Sequence, residues 1–382
     1  MAGLNVLITN NTLAPRAGTE LYVRDLALEL QRRGHTPVVY TTRAGEVARE
    51  LRRSTVPVVE DLRRLGSAPD IIHGQHHAET MTALLHFASV PAVFFCHGWR
   101  PPEEEPPLFP RVLRYAAVDD VCRERLVCEH GVPEERVRVI LNFVDLERFG
   151  ARGPLPTRPR RALLFSNYAS GATLIPAVRE ACARARLELD VLGSGVGRVC
   201  DEPEKVLGGY DLVFAKGRSA LEALAVGASV VLCDAAGAGP LVTKAELERL
   251  RRLNFGLRVL RSEVSAEVLT REIERYDAGD ATEVSREIRA RAGRTEAVDE
   301  IVALYEEVIA EHRTTATDAA AEGRAAAEYL RQLVTGVRHE REALREQWAA
   351  FQASPTNRLR RQLLRAPLLG PLAQTLARRL SR

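Results

Sequence analysis

The residues with the clearest chemistry lie in one turn between two apolar segments. Lys216-Gly217-Arg218 places two cations and a glycine after the apolar stretch 211–215, and Glu222 follows about one helical turn later. A helix that opens at such a turn presents backbone N–H groups without helical partners, which suit the oxygens of a diphosphate. A carboxylate one turn further on can accept hydrogen bonds from sugar hydroxyls. The spacing predicts a nucleotide site in an α/β fold.

The same segment has a simpler structural interpretation. Ser219 is a residue type that caps helices, so the stretch is also compatible with an ordinary amphipathic helix whose flanking cations, Lys216 and Arg218, are solvated. The apolar run 229–233 that follows predicts a second strand in either case. The residues of this segment alone leave both interpretations open.

With its continuation Ala223-Leu224-Ala225-Val226-Gly227, the segment resembles the GT4-type family of nucleotide-sugar glycosyltransferases. The family has the GT-B fold, in which two Rossmann-like domains face each other across a cleft, and its motif carries a pair of glutamates before an Ala-x-x-x-Gly turn. The resemblance implies that Glu222 is the second glutamate, which binds the ribose of the donor. In an ungapped comparison the first glutamate falls on Phe214, a departure at the usual contact to the donor sugar.

The N-terminal part predicts a βαβ unit. An apolar strand over 5–9, a helix opened by Gly18 and a strand over 37–42 follow one another, and such units are parallel and right-handed. Ala17-Gly18-Thr19-Glu20 resembles the opening of the same family, with Ala17 in place of a second glycine. The resemblance implies that Gly18 lets this loop approach the donor. Residues 137–145 are similar to the family segment that closes the first domain, with Phe143 for its glycine.

His97 is the candidate catalytic residue. It follows the strand-like stretch 91–96, and the carboxyl ends of strands in doubly wound sheets are where ligands bind. The structural alternative is a loop histidine that makes one local hydrogen bond. The resemblance implies that His97 contacts the donor sugar or its phosphate across the cleft.

No metal site is predicted. His73, His76 and His77 follow the preceding strand, but no fourth ligand stands at a suitable spacing, and the six cysteines show no zinc-ligand pattern. Members of the GT-B class do not rely on a bound divalent metal. The resemblance therefore implies no cofactor, with the nucleotide-sugar donor bound as a substrate.

The second domain departs from the family at two further places. Residues 166–172 carry neither the arginine nor the lysine that normally hold the donor diphosphate, so Lys216 and Arg218 are expected to replace them. The short distance between Phe165 and Glu222 predicts a reduced domain. The stretch 234–240 is predicted to be a glycine-rich loop whose N–H groups, around Gly237 and Gly239, face donor phosphate or sugar.

The resulting fold class is α/β, with two Rossmann-like domains, the second shortened, and a helical extension. The predicted domains are the acceptor-side domain 1–150, a linker 151–161, the donor domain 162–290, a helix 291–312 crossing back to the first domain, a helical or coiled-coil extension 313–352 and a basic amphipathic tail 353–382. In the extension, Leu330, Val337, Leu344 and Phe351 recur every seven residues, with Leu333 in an intermediate row that continues into Glu340 and Gln347. This coiled-coil pattern is imperfect, and it predicts a homo-oligomer or a protein partner.

The charge of the chain is unevenly distributed. The net charge is only +3, but residues 358–382 contain seven arginines and no acidic residue, interleaved with leucines. Such a segment is typical of a helix on an anionic membrane surface, and the alternative is a helix that packs on protein. No apolar run is long enough to cross a bilayer, no signal peptide is visible, and no nucleic-acid partner is expected. The predicted location is cytoplasmic, with peripheral attachment to the inner face of the cell membrane.

The function predicted from these features is transfer of a sugar from a nucleotide sugar to a glycan, lipid-linked or other acceptor, with retention at the anomeric carbon and without a metal. Two alternatives stay open. One is a GT-B sugar-nucleotide epimerase, which shares the donor site. The other is a non-catalytic glycosyltransferase-like subunit, favoured by the missing glutamate, the missing basic pair and the short second domain.

Overall fold

A computed structural model describes residues 3–172, 174–316 and 318–358 of the 382-residue chain. The chain divides into two compact units, Met1–Thr317 and Asp318–Arg382. The first unit contains two separate β-sheets, and the described part of the second, residues 318–358, contains the long helix α12, Ala319–Ala353. The two units are described in turn.

The first sheet is built from short apolar strands separated by helices. Its elements are β1 Asn5–Asn10, α1 Gly18–Arg32, β2 Thr36–Thr41, α2 Glu46–Arg53, β3 Val58–Val59, β4 Ile71–Gly74, α3 His77–His86, β5 Ala92–Cys96, β6 Val112–Ala117, α4 Asp120–Glu124 and β7 Val137–Val139. The strand order is β3-β2-β1-β4-β5-β6-β7, and every pair is parallel. Strands β4 and β5 are buried along their whole length, as expected for a parallel sheet covered on both faces.

The strand order reverses between β1 and β4. From β1 the chain moves outward to β2 and β3, then returns to place β4 on the other side of β1. Ligands of doubly wound sheets bind beyond the carboxyl ends of the strands at such a reversal. The loop after β1 leads directly to Gly18, and His97 follows β5 at the same end of the sheet.

The second sheet repeats this plan with fewer strands. Its elements are β8 Arg161–Phe165, α5 Ile175–Arg184, β9 Glu188–Leu192, α6 Pro203–Val206, β10 Leu212–Ala215, α7 Gly217–Val226, β11 Ser229–Asp234, β12 Gly237–Leu241, α8 Leu247–Arg252, α9 Ala266–Glu274 and α10 Ala278–Arg291. The order is β12-β11-β10-β8-β9, so it reverses between β8 and β10. Helix α7 therefore starts at the reversal point of this sheet.

The predicted loop over 234–240 is wrong. Gly237–Leu241 form β12, which pairs antiparallel with β11 after a tight turn and closes the edge of the sheet. The glycines suggested a loop because glycine is usually unfavourable in strands. Here they allow the strand to lie directly against the backbone of residues 259–262.

Helix α11, Arg294–Thr314, belongs to the core of the first domain although it follows the second in sequence. Val298, Ile301 and Tyr305 are fully buried among residues of the first domain. The Tyr305 hydroxyl lies 2.6 Å from Nδ1 of His73 on β4. The chain thus crosses from the second domain back to the first before it leaves this unit.

The second unit contains α12, which spans Ala319–Ala353. The side chain of Asp318 caps it by accepting hydrogen bonds from the N–H groups of Ala320 and Ala321, each at 2.9 Å. None of the residues of α12, all of which the structure describes, is buried. Most of the predicted basic tail 353–382, from residue 359 onward, lies outside the described residues. Among the residues described, no helix has the length and hydropathy to cross a membrane.

Candidate functional site: the cleft between the two sheets

The turn between β10 and α7 is the first part of the candidate site. Lys216 is the extended residue before the helix, and Gly217 adopts φ +55°, a left-handed conformation that favours glycine. The Gly217 N–H donates to the Phe255 carbonyl at 2.9 Å, which fixes the turn against the loop after α8. The next N–H groups, of Arg218 and Ser219, belong to the first helical turn, where no helical carbonyl can accept them. The turn therefore offers backbone donors at the start of a ten-residue helix.

Arg218 joins the two domains through a buried ion cluster. Its Nε lies 2.7 Å from Oε1 of Glu222, one turn along α7, and its Nη2 contacts Oδ2 of Asp25 on α1 of the first domain. Arg24 also pairs with Asp25, at 2.6 Å. One guanidinium of the second domain is thus shared by a carboxylate from each domain.

The pKa values of this cluster follow from burial and charge. Burial raises the pKa of Asp25, but Arg218 and Arg24 outweigh it and hold that pKa below its usual value. Burial raises the pKa of Glu222 above its usual value, and the nearby Arg218 only partly opposes this. Burial also opposes the charge of Arg218, but Asp25 and Glu222 outweigh it and raise the pKa of Arg218. Arg218 therefore stays positive, with much of its charge already compensated.

A cavity at the cleft brings part of the predicted site together with residues that the sequence did not suggest. Gly18, Arg218, Ser219 and Glu222 all line it. Ser166 and Asn167, from the segment without the expected basic pair, line the same cavity. Two further arginines, Arg16 and Arg148, also line it.

Arg16 and Arg148 place two cations along the same cavity as Ser166 and Asn167. Arg16, in the loop after β1, lies 2.8 Å from Glu50 and donates to the Asp201 carbonyl of the second domain at 3.2 Å. Arg148, near the end of the first domain, lies 2.8 Å from Glu204 of the second. The only sequence signal for them was their position, Arg16 beside Ala17-Gly18 and Arg148 beside the segment that closes the first domain.

Lys216 is held away from this cavity. Its Nζ lies 2.8 Å from Oδ2 of Asp234 at the end of β11 and 5.2 Å from the centre of the Tyr168 ring. The other carboxylate oxygen of Asp234 accepts a hydrogen bond from Ser166 Oγ at 2.7 Å. Lys216 thus ties the turn to the neighbouring strands, and the cavity is lined by arginines instead.

Gly237 and Gly239 also lie apart from the cavity lining. A Cβ on Gly237 would come within 2.9 Å of the Leu260 carbonyl oxygen, and one on Gly239 within 2.8 Å of that of Val259. Both glycines therefore serve a close backbone contact inside the second domain. This packing replaces the predicted exposed loop facing the donor.

His97 lines a second cavity that adjoins the first. The two cavities share Gly18 and Arg218, and the second is completed by residues of both domains, namely Thr19, Tyr22, Asn142, Phe143 and Asn254. The His97 ring packs edge-on against Tyr22, with 4.5 Å between ring centres. Its backbone N–H donates to the buried carboxylate of Glu104 at 2.8 Å.

The His97 imidazole is poised as a neutral hydrogen-bonding group. Burial lowers the pKa of His97 to about 4; Glu104 opposes the shift, while His76 adds to it. Its Nε2 is buried and has no hydrogen-bond partner among the described residues. A buried nitrogen without a partner is costly, so this atom is well suited to meet a ligand hydroxyl.

The other candidate histidines have structural partners. His73 is buried between Tyr305 and Gln75, at 2.6 and 3.2 Å from its two ring nitrogens. Nε2 of His76 faces Glu104 at 3.7 Å, and its Nδ1 accepts the Asn11 N–H at 3.1 Å. Within the described ranges, no group of three or more His, Cys, Asp or Glu residues is arranged to hold a metal ion. The absence of a cofactor stays a prediction.

Comparison with known proteins agrees with this architecture. Residues 16–148 match the model of Glycosyltransferase Family 4. A comparison with curated protein sequences found no match.

Among solved structures, a glycosyltransferase from Rickettsia africae is similar with a TM-score of 0.58 and 14% identity, over 80% of this chain and 99% of that one. Anabaena Alr3699/HepE in complex with UDP is similar with a TM-score of 0.57 and 16% identity, over 80% of this chain and 100% of that one. At these identities the structural likeness establishes the fold alone. The family match concerns residues 16–148, which belong to the first domain.

Residues 16–148 match the Family 4 model and the fold is shared with solved glycosyltransferases, in agreement with the resemblance seen in the sequence. The predicted fold class, two Rossmann-like domains with a helical extension, is confirmed as well. The individual site residues stay predictions, now with the geometry described above.

Proposed function

We propose that the protein transfers a sugar from a nucleotide-sugar donor to a glycan or lipid-linked acceptor. The observation that carries the proposal is the cavity where the N-terminus of α7, Arg218 and Glu222 face Gly18 of the first domain. A helix N-terminus and several arginines suit a diphosphate, and a buried carboxylate beside them suits a ribose. The Anabaena neighbour was solved with UDP and with UDP-glucose, which supports a nucleotide sugar as the class of donor.

In this proposal the donor binds mainly to the second domain. Glu222 accepts a hydrogen bond from a ribose hydroxyl through the oxygen that Arg218 leaves unused. Arg218, Arg16 and Arg148 surround the diphosphate together with the first N–H groups of α7. Lys216 acts on the diphosphate only at longer range, because its ammonium is bound to Asp234.

Catalysis then rests on stabilising the departing nucleoside diphosphate. The bond from the anomeric carbon to the diphosphate breaks, the acceptor oxygen bonds to that carbon on the same face, and the acceptor hydroxyl passes its proton to the departing phosphate oxygen. The charge that develops on the diphosphate is met by the arginines and N–H groups, a preorganised electrostatic contribution that needs no metal. His97, neutral at pH 7, hydrogen-bonds a sugar hydroxyl near the reacting carbon.

A second candidate function has two specific observations in its favour. Phe214, where the family's first glutamate falls, is fully buried in the core of the second domain and cannot contact a donor. Asp25 also occupies Arg218 from the other side of the cleft. Both features suit a non-catalytic subunit that keeps the fold and binds a partner.

The proposal also concerns the acceptor and the location of the protein. An acceptor would enter from the first domain, near His97 and Tyr22. A polysaccharide or glycoconjugate acceptor on the inner face of the cell membrane would fit the arginine-rich tail, since a basic segment is attracted to anionic lipids.

A donor screen distinguishes the two candidates. The full-length protein is incubated with a panel of nucleotide sugars, and release of nucleoside diphosphate is measured with wild type, His97→Ala and the remote variant Lys244→Ala. Transfer predicts release from at least one donor, a large loss of turnover in His97→Ala and none in Lys244→Ala. Donor binding by calorimetry without any release, in the presence of lipid and glycan acceptors, would favour the non-catalytic subunit.

A further inference from the structure

The exposed face of α12 carries a continuous apolar seam. Six of its large apolar side chains are between 45% and 61% exposed, namely Leu330, Val334, Val337, Leu344, Trp348 and Phe351. Their spacing alternates between three and four residues once Arg341 is included, which is the a/d pattern of a coiled coil. This register combines the row of Leu330, Val337, Leu344 and Phe351 with Val334 and Trp348. The sequence pattern alone combines that row with Leu333 instead.

The seam needs a covering surface. A single helix with no buried residue gains little from packing, and helices in water depend on packing of their apolar face for most of their stability. Large exposed apolar patches on a folded chain mark interaction sites. The regular seam fits another helix with the same repeat better than a flat or irregular surface.

The flanking charges identify the partner as a second copy in parallel orientation. With Val334 and Arg341 in a positions, the e row contains Arg331, Arg338 and Arg345, and the g row contains Glu340. An antiparallel pair would bring the e rows together, arginine against arginine. A parallel pair instead places Glu340 of one helix opposite Arg345 of the other. The two copies of Arg341 then meet inside the seam, each beside a Glu340.

The charges needed for this pairing are available. Within the part of the chain that the structure describes, Glu340, Arg341 and Arg345 form no salt bridge, in contrast to Arg331, which pairs with Glu328 at 2.5 Å. One charged residue in an otherwise apolar seam sets the register of a coiled coil at some cost in stability. Arg341 has this position.

We infer that α12 forms a parallel, in-register, two-stranded coiled coil with a second copy of this chain, through the seam from Leu330 to Phe351. The resulting dimer would link two copies of this chain through one coiled coil. This inference is independent of the proposed function, because it uses no residue of the cleft.

The mass of the full-length protein tests the seam. Sedimentation equilibrium should give a dimer for wild type, and a dissociation constant at least a hundredfold higher for the double variant Val337→Asp with Leu344→Asp. The matched control, Thr335→Asp with Ala343→Asp, puts the same charges on the outer face of the same helix and should remain dimeric. Equal masses for wild type, seam variant and control would overturn the inference.

Two further variants test the details. Arg341→Leu should lower the dissociation constant about tenfold or more by completing the seam, whereas Glu342→Leu on the outer face should not. Leu330→Cys should form a disulfide between chains under mild oxidation, and Gln332→Cys should not, because only a parallel in-register pair brings the two copies of residue 330 together. A dimer that fails to cross-link through residue 330 would overturn the parallel arrangement.

Discussion

Arg218 shows how the charge of one residue can decide what the cleft binds. Its guanidinium is shared by Asp25 of the first domain and Glu222 of the second, so an entering diphosphate competes with two carboxylates for one cation. Arg16 and Arg148 bring two further cations to the cavity, each paired with a carboxylate of its own, Glu50 and Glu204. In the proposed donor site, the balance between these positive and negative charges sets the affinity for the diphosphate.

Removing the carboxylate of Asp25 therefore has opposite effects on stability and on binding. Asp25→Asn should lower the melting temperature, because Arg218 and Arg24 lose a buried partner. It should also strengthen binding of a nucleoside diphosphate by roughly 1–2 kcal/mol, since a competing negative charge disappears from the cleft. Calorimetry and thermal melting measure the two effects, and Asp61→Asn on the surface is the control. Weaker binding in Asp25→Asn would contradict this balance.

His97 makes a prediction about pH. Its pKa is about 4 in the folded protein and close to its ordinary 6.5 when unfolded, so between these values the unfolded chain binds a proton that the folded chain does not. The contribution of His97 to the free energy of unfolding is fully present above pH 6.5 and is lost as the pH falls toward 4. Over this range the free energy of unfolding should fall by up to about 3 kcal/mol more in wild type than in His97→Asn. Urea unfolding at a series of pH values measures this, and parallel curves would show that His97 is not protected from protonation.

At the scale of elements, the sequence predicts those strands and helices whose formation depends on neighbouring residues alone. The strand–turn–helix unit around Gly217 and the helix that starts at Gly18 follow from apolar runs and glycine positions, and both are present. The glycines of β12 predict a loop, but the structure has a strand there. These glycines are needed for a close contact with residues 259–262, which lie well beyond β12 in the chain.

The residues of the candidate site that the sequence did not predict also depend on contacts between distant parts of the chain. Asp25, Arg16 and Arg148 meet the second domain only once the two sheets face each other, and no spacing within the sequence encodes that meeting. The sequence leaves the row that continues the seam of α12 open for another reason. Leu333 and Val334 are adjacent and both apolar, and only the helix shows which of them continues the exposed stripe.

The turn that opens α7 can be tested by a matched pair of glycine substitutions. Gly217 and Gly131 have φ of +55° and +65°, and both have open space where a Cβ would be added. Alanine at either position should therefore cost a similar 1–2 kcal/mol of stability from backbone strain alone. Only Gly217→Ala should also weaken binding of a nucleoside diphosphate, because it shifts the N–H groups of the site. Equal affinities in the two variants would remove this turn from the site.

At the scale of the molecule, the two Rossmann-like domains are joined by two strands of chain that run side by side. The Val144 N–H donates to the Ala292 carbonyl at 2.8 Å, and the Arg294 N–H donates to the Val144 carbonyl at 3.0 Å. Since α11 then packs into the first domain, the chain passes between the two domains twice, and both passages lie side by side at Val144 and Gly293. Opening of the cleft is expected to pivot there.

The arginine-rich tail gives a prediction for the whole chain. Deleting residues 353–382 should leave the unit Met1–Thr317 folded and release the protein from anionic vesicles, since the deletion removes seven arginines worth roughly 1 kcal/mol each near such a surface. High salt should have the same effect on the full-length protein by screening. Equal co-sedimentation of both proteins with phosphatidylserine vesicles, at low and high salt, would assign the tail to protein packing.

Calorimetric titration with a panel of nucleoside diphosphates tests the central claim most directly. We predict that wild type binds at least one of them and that Arg218→Ala, shown to be folded by its melting curve, binds it more weakly by about 1.5–3 kcal/mol for each charged hydrogen bond lost. Arg16→Ala should weaken binding in the same direction, and Lys244→Ala, on the far side of the second domain, should bind as wild type does. Unchanged affinity in folded Arg218→Ala and Arg16→Ala, or no binding of any nucleoside diphosphate by wild type, would contradict the assignment of this cleft as a donor site.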